Sequence, residues 1–270
     1  MQEKNNLTIS EMLSRAFYMC KDNILEILKA LGVYIIPSII IPIIASIALF
    51  SSLFFSLSFS VATEFEELFI PAIGVGSILG FLIITIIVCL IGGFGNLVIG
   101  KILDDGNKGN FVSWKSATKY IWDKKWSALG LNILIFLMFS AFFIVVVFLA
   151  ILLSIITLGF GAIIMIPLVI AIFFVIGQLP TLMNSMLIVK DLGAIEAIGE
   201  TFLLFKKGEF WKNVGILSAI SGISLGVGLV LFMLEFIPIL GFFITLVGSF
   251  LMNTYAFAYL NVFSLDRSNN

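Results

Sequence analysis

Basic residues are absent from three long, mostly apolar blocks of this chain. The blocks hold 71, 64 and 54 residues, and they lie between Lys29 and Lys101, between Lys125 and Lys190, and between Lys212 and Arg267. A helix needs about 20 mostly apolar residues to cross a hydrocarbon core about 30 Å thick, and a Lys or Arg at mid-span costs about 2.5–3.5 kcal/mol. The pattern therefore predicts an all-α integral membrane bundle of six transmembrane helices in three hairpins.

Six apolar segments are the predicted spans. They are Val33–Leu53, Pro71–Val98, Ser127–Leu152, Ile164–Val189, Val214–Leu234 and Pro238–Leu260. An Ile-Pro pair stands at the outer end of each even-numbered span, at Pro71, Pro167 and Pro238. Proline is favoured in the first turn of a helix, so three independent helix starts explain these pairs. The pairs also fit a degenerate threefold repeat, and both explanations stay open.

Three further segments have the pattern of amphipathic helices. The first, Asn5 to Asp22, begins with Thr8 and Glu11 at the spacing of a capping box, and its apolar stripe is Ile9, Met12, Leu13, Ala16, Phe17 and Cys20. The stripe of the second is Trp114, Ala117, Thr118, Ile121 and Trp122. The stripe of the third is Leu192, Ile195, Ile198, Gly199, Phe202 and Leu203. Because charged residues occupy the other faces, we expect these helices to lie in the membrane interface.

Composition and charge agree with this plan. The chain is 61% hydrophobic and 11% charged, with a mean hydropathy of +1.20, which excludes an ordinary soluble domain. We expect a single polytopic membrane domain over 1–270, with an N-terminal amphipathic region at 1–32, the bundle at 33–260 and a tail at 261–270. All basic residues fall outside the spans, so the positive-inside rule places both termini in the cytoplasm. Nothing in this charge distribution indicates nucleic-acid binding.

Few residues can carry chemistry. The chain has no histidine, which removes Ser-His, Cys-His and most zinc chemistries. No predicted span has a charged residue near its middle, as proton relays and aspartyl catalysis would need. The segment Asp104-Asp105-Gly106 is typical of a polar turn after a helix, and Cys20 and Cys89 are expected to be inert. We therefore predict a non-enzymatic protein with no metal or cofactor.

Two groups of residues remain as candidate sites. The first is an interfacial belt that could contact lipid, composed of Trp114, Trp122, Trp126, Lys206, Lys207, Phe210, Trp211 and Lys212; its alternative is an ordinary membrane anchor. The second is an in-membrane polar site at Gln178, Thr181 and Asn184, where Pro180 frees a backbone carbonyl; its alternative is hydrogen bonding between helices. Two small-x-x-x-small pairs, Gly76 with Gly80 and Gly222 with Gly226, predict close helix packing.

The segment from Ala194 to Lys212 resembles the membrane-domain family found in front of some bacterial glycerophosphoryl diester phosphodiesterases and in stand-alone prokaryotic proteins. The matching residues are Ala197, Thr201, Phe202, Leu204, Gly208, Phe210 and Trp211. The resemblance implies a polytopic domain of a prokaryotic cytoplasmic membrane. The family's catalytic domain has no counterpart here, so phosphodiesterase activity is not carried over.

These observations favour one function and leave one alternative. The first is a non-enzymatic membrane protein that interacts with membrane lipids, or with other membrane proteins, through its cytoplasmic interfacial belt. The alternative is a transporter or permease subunit for a lipid or small solute. A transporter would need a water-accessible cavity lined by polar residues of the spans, whereas a lipid-interacting protein would have grooves that open sideways. The oligomeric state stays open.

Overall fold

A computed structural model describes residues 7–60, 66–157, 167, 169, 172, 174, 176–206, 209–237 and 240–268. The helices are α1 (Ile9–Asp22), α2 (Ile24–Ala30), α3 (Ile36–Ser60), α4 (Glu66–Asn107), α5 (Trp114–Asp123), α6 (Lys125–Ile156), α7 (Leu179–Val189), α8 (Ala194–Lys206), α9 (Phe210–Leu234) and α10 (Leu240–Ser268). A π-helical segment, Leu31–Ile35, joins α2 to α3. No described residue lies in a strand. The all-α prediction is confirmed.

Within the described ranges, five helical segments are long and apolar enough to cross a membrane. They are Ile24–Ala48, Ile83–Asn107, Lys125–Ile156, Phe210–Leu234 and Phe243–Arg267. Each overlaps a predicted span, namely the first, second, third, fifth and sixth. The fourth predicted span, Ile164–Val189, falls partly outside the described residues, and α7 is its described end.

The Ile-Pro pairs give little support to the repeat. Ile166 and Pro238 lie outside the described residues. Helix α4 begins at Glu66, five residues before Pro71, so this proline does not start its helix.

Helix α4 is much longer than a bilayer requires. Its 42 residues extend about 63 Å at about 1.5 Å per residue, twice the thickness of a hydrocarbon core of about 30 Å. Its last turns are buried, with Leu97, Ile102 and Leu103 fully inaccessible. The C-terminal end of α4 is therefore a structural centre around which the other helices pack.

The buried core lies where the helices meet the polar segments that join them. Its members come from nine of the described helices and include Met12, Ile27, Leu103, Ile121, Leu131, Met183, Ala197, Leu217 and Phe263. Further along the candidate spans, large apolar side chains are exposed, for example Phe136 and Ile144 on α6 and Val230 on α9. Lipid tails are the natural cover for such surfaces.

Helix α1 packs on α10. Both halves of the predicted capping box are present: the backbone N–H of Thr8 donates to Glu11 Oε2 at 2.7 Å, and the N–H of Glu11 donates to Thr8 Oγ1 at 3.3 Å. Met12, Ala16 and Met19 are buried against protein. Only part of the expected stripe is therefore covered, and Phe17 remains exposed.

The prediction of a turn at Asp104-Asp105-Gly106 is wrong. All three residues belong to α4, and both carboxylates are buried. Lys101 Nζ lies 2.8 Å from Asp105 Oδ1, and Lys108 Nζ lies 2.7 Å from Asp104 Oδ2. Oppositely charged residues four positions apart stabilise a helix, so these lysines allow α4 to continue through the acidic pair. The chain turns at Gly109 instead, where φ is +77°.

The predicted small-x-x-x-small pairs are only partly described. A Cβ added at Gly80 or Gly226 would meet no described atom within 4 Å, whereas one at Gly222 would lie 3.6 Å from Phe174 Cζ. The side-chain surroundings of Gly76 lie outside the described part, so close packing at these pairs stays a prediction. A Cβ at Gly100 would lie 2.3 Å from Phe257 Cε1, and one at Gly93 would lie 2.6 Å from Asn132 Oδ1. Helix α4 therefore approaches α10 and α6 closely at these two glycines.

Candidate functional site

A row of aromatic rings lies where the π-helical segment, α4 and α5 meet. The ring centroids of Tyr34 and Phe94 are 5.6 Å apart, and those of Phe94 and Trp122 are 6.1 Å apart. The Tyr34 hydroxyl donates to Thr118 Oγ1 at 3.1 Å. Gly95 permits this approach, because a Cβ there would lie 2.5 Å from Tyr34 Cβ. Single π-helical turns inside helices often mark functional sites, and this one positions Tyr34.

The junction of α5 and α6 brings two tryptophans to one side of the protein. Only Lys124 separates the two helices. Trp122 is 59% exposed and Trp126 is 75% exposed. Lys125 Nζ lies 5.1 Å from the ring centroid of Trp122 and 6.0 Å from that of Trp126, within the range of a cation–π interaction. Lys125 is thereby held between two exposed indoles.

These elements form the walls of a groove of about 390 Å³. Aromatic and aliphatic side chains make up most of its lining, and the polar members are Lys125 and Asn132. The lining also includes Tyr34, Leu90, Ile91, Phe94, Trp122, Trp126, Ala128 and Leu129. Asn132 Nδ2 donates to the carbonyl oxygen of Ala128 at 2.9 Å, and the absence of a side chain at Gly93 leaves room for the amide. The groove is thus apolar along its length, with a cation beside the tryptophans.

Two adjacent lysines beside the groove differ in their partners among the described residues: Lys124 belongs to an ion-pair network, and Lys125 does not. Lys124 Nζ pairs with the Asp191 carboxylate and donates to the Asp191 carbonyl at 3.0 Å, and Tyr120 donates to the same carboxylate. Lys124 and Tyr120 hold the pKa of Asp191 below its usual range, while burial and the nearby carboxylate raise the pKa of Tyr120. Lys125 has no carboxylate within ion-pair distance among the described residues. Lys125 is therefore the cation that the groove offers to a ligand.

The predicted belt residues divide into separate groups. Trp114 is half-buried, lies outside the groove and donates its backbone N–H to Glu26 Oε2 at 2.8 Å. Phe210 and Trp211 stack edge to face at 5.2 Å, and Trp211 is 81% exposed. Lys212 Nζ lies 3.9 Å from Glu209 Oε1. Lys206 ends α8, whereas Lys207 and the expected helix break at Gly208 lie outside the described residues.

Part of the predicted in-membrane polar site exists as a cavity. Gln178 and Thr181 line a cavity of about 310 Å³ between α7, α9 and α10. Asn184 is buried near it but does not line it, and Ser249 is a lining residue that the sequence interpretation did not include.

Sequence reasoning missed most of the groove. Trp122 and Trp126 were identified, but Tyr34, Phe94, Lys125 and Asn132 were not. The position of Lys125 between the two tryptophans was a visible signal, and so were the closely spaced glycines at 92, 93 and 95.

Comparisons of the chain with protein-family models, with curated proteins and with solved structures find no match. Among the described residues, no three potential metal-ligating side chains of His, Cys, Asp or Glu come together.

Proposed function

We propose that this chain is a non-enzymatic, lipid-binding protein of a prokaryotic cytoplasmic membrane, and that the groove holds one anionic phospholipid. The observation that carries the proposal is the position of Lys125 over Trp122 and Trp126 at one part of an otherwise apolar groove. Indole rings prefer the headgroup level of a bilayer, so this part of the groove is at the depth of lipid phosphates. The remaining lining is suited to an acyl chain.

The expected preference for an anionic lipid follows from Lys125, the charged residue among the described lining of the groove. Each Lys near an anionic membrane surface contributes about 1 kcal/mol, and Lys125 is the cation among the described lining residues. A zwitterionic lipid gains less, because its own ammonium group opposes the lysine. We therefore expect a preference of about fivefold for an anionic headgroup, since 1.4 kcal/mol corresponds to a factor of ten.

The remaining elements of the proposal concern the membrane plan. We propose six spans in three hairpins with both termini in the cytoplasm, and a degenerate threefold repeat of interfacial helix, span and proline-led span. The positions of the basic residues support the orientation, and five helical segments in the described ranges support the spans. The resemblance of the segment ending at Trp211 to the phosphodiesterase membrane domains supports a polytopic membrane domain.

A second lipid contact is proposed at α8 and the start of α9. The face of α8 that carries Ile195, Phe202 and Leu203 is exposed, while Ala197 and Thr201 on the other side are fully buried. An apolar face left outside in this way is suited to the acyl boundary. Lys206, Lys207, Phe210, Trp211 and Lys212 would set the depth of α9. The alternative, an anchor with no function beyond topology, remains for this contact.

Native mass spectrometry of the purified protein tests the groove. The protein is incubated with phosphatidylglycerol and phosphatidylethanolamine of identical acyl chains. We expect Lys125→Gln to lower the ratio of bound phosphatidylglycerol to phosphatidylethanolamine about fivefold. The matched control is Lys115→Gln, because Lys115 Nζ lies 5.9 Å from the Trp114 centroid outside the groove. An unchanged ratio in Lys125→Gln, or an equal loss in the control, would refute the groove as the lipid site.

The alternative function, a transporter or permease subunit, is favoured by a different observation. A polar cavity lies among α7, α9 and α10, away from the groove.

A further inference from the structure

The polar cavity lies deep within two candidate spans. The span on α9 ends at Leu234, and the next span, on α10, begins at Phe243. Ser224 lies ten residues before Leu234, and Asn253 lies ten residues after Phe243. At about 1.5 Å per residue, both side chains lie about 15 Å from those ends. That distance is half of a hydrocarbon core of about 30 Å. The cavity is thus placed at the depth where water is scarcest.

Uncharged hydrogen-bonding groups line the cavity. Its described polar lining residues are Gln178, Thr181, Ser224, Ser249 and Asn253, and its apolar ones include Val227, Leu231 and Met252. The Ser224 hydroxyl donates to the carbonyl oxygen of Ile220 at 2.9 Å, which leaves its oxygen able to accept. Asn253 Nδ2 donates to Asn96 Oδ1 at 3.4 Å. Amides and hydroxyls from three helices therefore surround one space.

Buried polar atoms without partners continue from the cavity toward the basic ends of the helices. Ser185 lies one turn beyond Thr181, Ser221 lies one turn from Ser224, and Thr254 follows Asn253. These three residues are 0%, 6% and 3% exposed, and their hydroxyls have no hydrogen-bond partner among the described residues. Along their helices, Ser185 lies on the Lys190 side of the cavity, Ser221 on the Lys212 side and Thr254 on the Arg267 side.

Such a set of atoms points to a polar occupant. A buried hydroxyl without a partner costs about 1–3 kcal/mol, and in a bilayer no external water supplies the missing bond. Ser185 and Ser221 are not themselves lining residues, so the groups that an occupant meets are the amides and hydroxyls of the lining. Water or a solute in this space would bond to Gln178, Thr181 and Asn253.

From these observations we infer that α7, α9 and α10 form a hydrated binding site for a small, uncharged solute that both donates and accepts hydrogen bonds. An ion is disfavoured, because the described lining residues offer neither a carboxylate nor a basic group, and an unpaired charge at this depth is costly. The cavity opens to the surface of the described part at Ser249 and Asn253, which are exposed. Its volume of about 310 Å³ admits several waters, or a small amide or polyol with fewer waters. The site lies on other helices than the lipid groove and does not depend on it.

Thiol labelling in proteoliposomes tests whether the site contains water. In a background with Cys20→Ala and Cys89→Ala, Ser224→Cys is compared with Leu225→Cys, its neighbour at the same depth, which is 54% exposed on the outer surface. The thiolate is the reactive form and needs a polar environment. We expect uncharged methyl methanethiosulfonate to modify Ser224→Cys at least tenfold faster. Equal rates in two variants that melt like the parent would overturn the proposal.

Three molecules of the same shape test the class of solute. Acetamide is neutral, acetate is an anion and acetamidinium is a cation. We expect acetamide to slow the labelling of Ser224→Cys at least twofold, with no effect on Leu225→Cys, while the two ions have no effect at equal concentration. Adding Thr181→Val and Ser249→Ala should remove the protection. Equal protection by all three molecules, or by none, would overturn the assignment of an uncharged solute.

Discussion

Gly100 is the position where a single methyl group should have the clearest effect on the fold. It lies on α4, where that helix crosses α7 and α10. In Gly100→Ala the new Cβ would lie 2.3 Å from Phe257 Cε1 and 2.6 Å from Ile188 Cδ1. Carbon atoms in contact normally lie about 3.5–4.0 Å apart, so both side chains must retreat by more than about 1 Å. Phe257 and Ile188 are 2% exposed, which leaves them little room.

The expected loss of stability is the sum of opposing effects. Overpacking a core costs about 1–3 kcal/mol. Asn261 Nδ2 donates to the Gly100 carbonyl at 3.0 Å inside the core, and separating the helices would leave these groups unpaired at a cost of about 1–3 kcal/mol. Replacing Gly by Ala in a helix returns about 1 kcal/mol. The net effect is a loss of about 1–5 kcal/mol, or a fall in melting temperature of at least about 2–4 °C.

The native thiol at position 20 provides the assay. Burial raises the pKa of Cys20 to about 12, so the folded protein reacts slowly with maleimides near neutral pH, and reaction reports unfolding. Melting is followed with a fluorogenic maleimide in a Cys89→Ala background. Gly226→Ala is the control, because a Cβ there meets no described atom within 4 Å, and it should melt at or above the parent temperature. If Gly100→Ala melts as high as Gly226→Ala, the close approach does not limit the fold.

Two further predictions use the same melting assay. Asp191→Gly keeps a residue suited to the observed φ of +59° and removes the carboxylate bound by Lys124 and Tyr120, so we expect a loss of up to about 1 kcal/mol at pH 7. Because the pKa of Asp191 is lowered by folding, this contribution is fully present above the unfolded value of about 3.9 and is lost as the pH falls through the lower folded value. The pH series is followed by circular dichroism, because maleimides need the thiolate; a difference independent of pH would contradict the assignment. Gly241→Ala would place a Cβ 2.2 Å from the Leu234 carbonyl oxygen. Since backbone atoms cannot rotate away, we expect the free energy of unfolding to fall by at least about 2 kcal/mol. A melting temperature equal to that of the parent would show that the backbone between α9 and α10 moves to accept the methyl group.

Local signals in the sequence predicted local structure well. Thr8 and Glu11 have the spacing of a capping box, and both of its hydrogen bonds are present. Such a motif is decided by residues three positions apart, so distant packing changes it little. Asp104 and Asp105 are typical of a turn, yet α4 continues through them because Lys101 and Lys108 pair with them along the helix. The four-residue spacing of these lysines and aspartates outweighs the turn propensity of Asp104 and Asp105.

Packing could not be predicted from apolar pattern alone. Leu131 and Phe136 both lie on α6, yet the first is fully buried and the second is 62% exposed. Because lipid tails are as apolar as a leucine side chain, hydrophobicity does not distinguish protein-facing from lipid-facing positions. The groove depends on this distinction, so its tryptophans were found while Tyr34 and Phe94 were not.

The amphipathic segments show the same ambiguity. In α1, Met12 and Met19 of one apolar face are covered by protein. In α8, small Ala197 and Thr201 face the protein, and bulky Phe202 is exposed. An apolar stripe therefore indicates a helix, but the neighbouring helices decide which surface it covers.

The packing of α1 on α10 has a consequence for how the protein is made. The Leu7 N–H donates to Asp266 Oδ1 across 259 positions, and the Tyr255 hydroxyl donates to the Leu13 carbonyl across 242 positions. Translation at about 5–20 residues per second separates the emergence of these partners by about 12–50 s. During that interval α1 can contact α2 and α4 but not α10, its main partner, so membrane insertion proceeds before the methionine-bearing face of α1 is fully covered. A chain that ends before α10 therefore lacks the surface that covers most of this face in the complete fold.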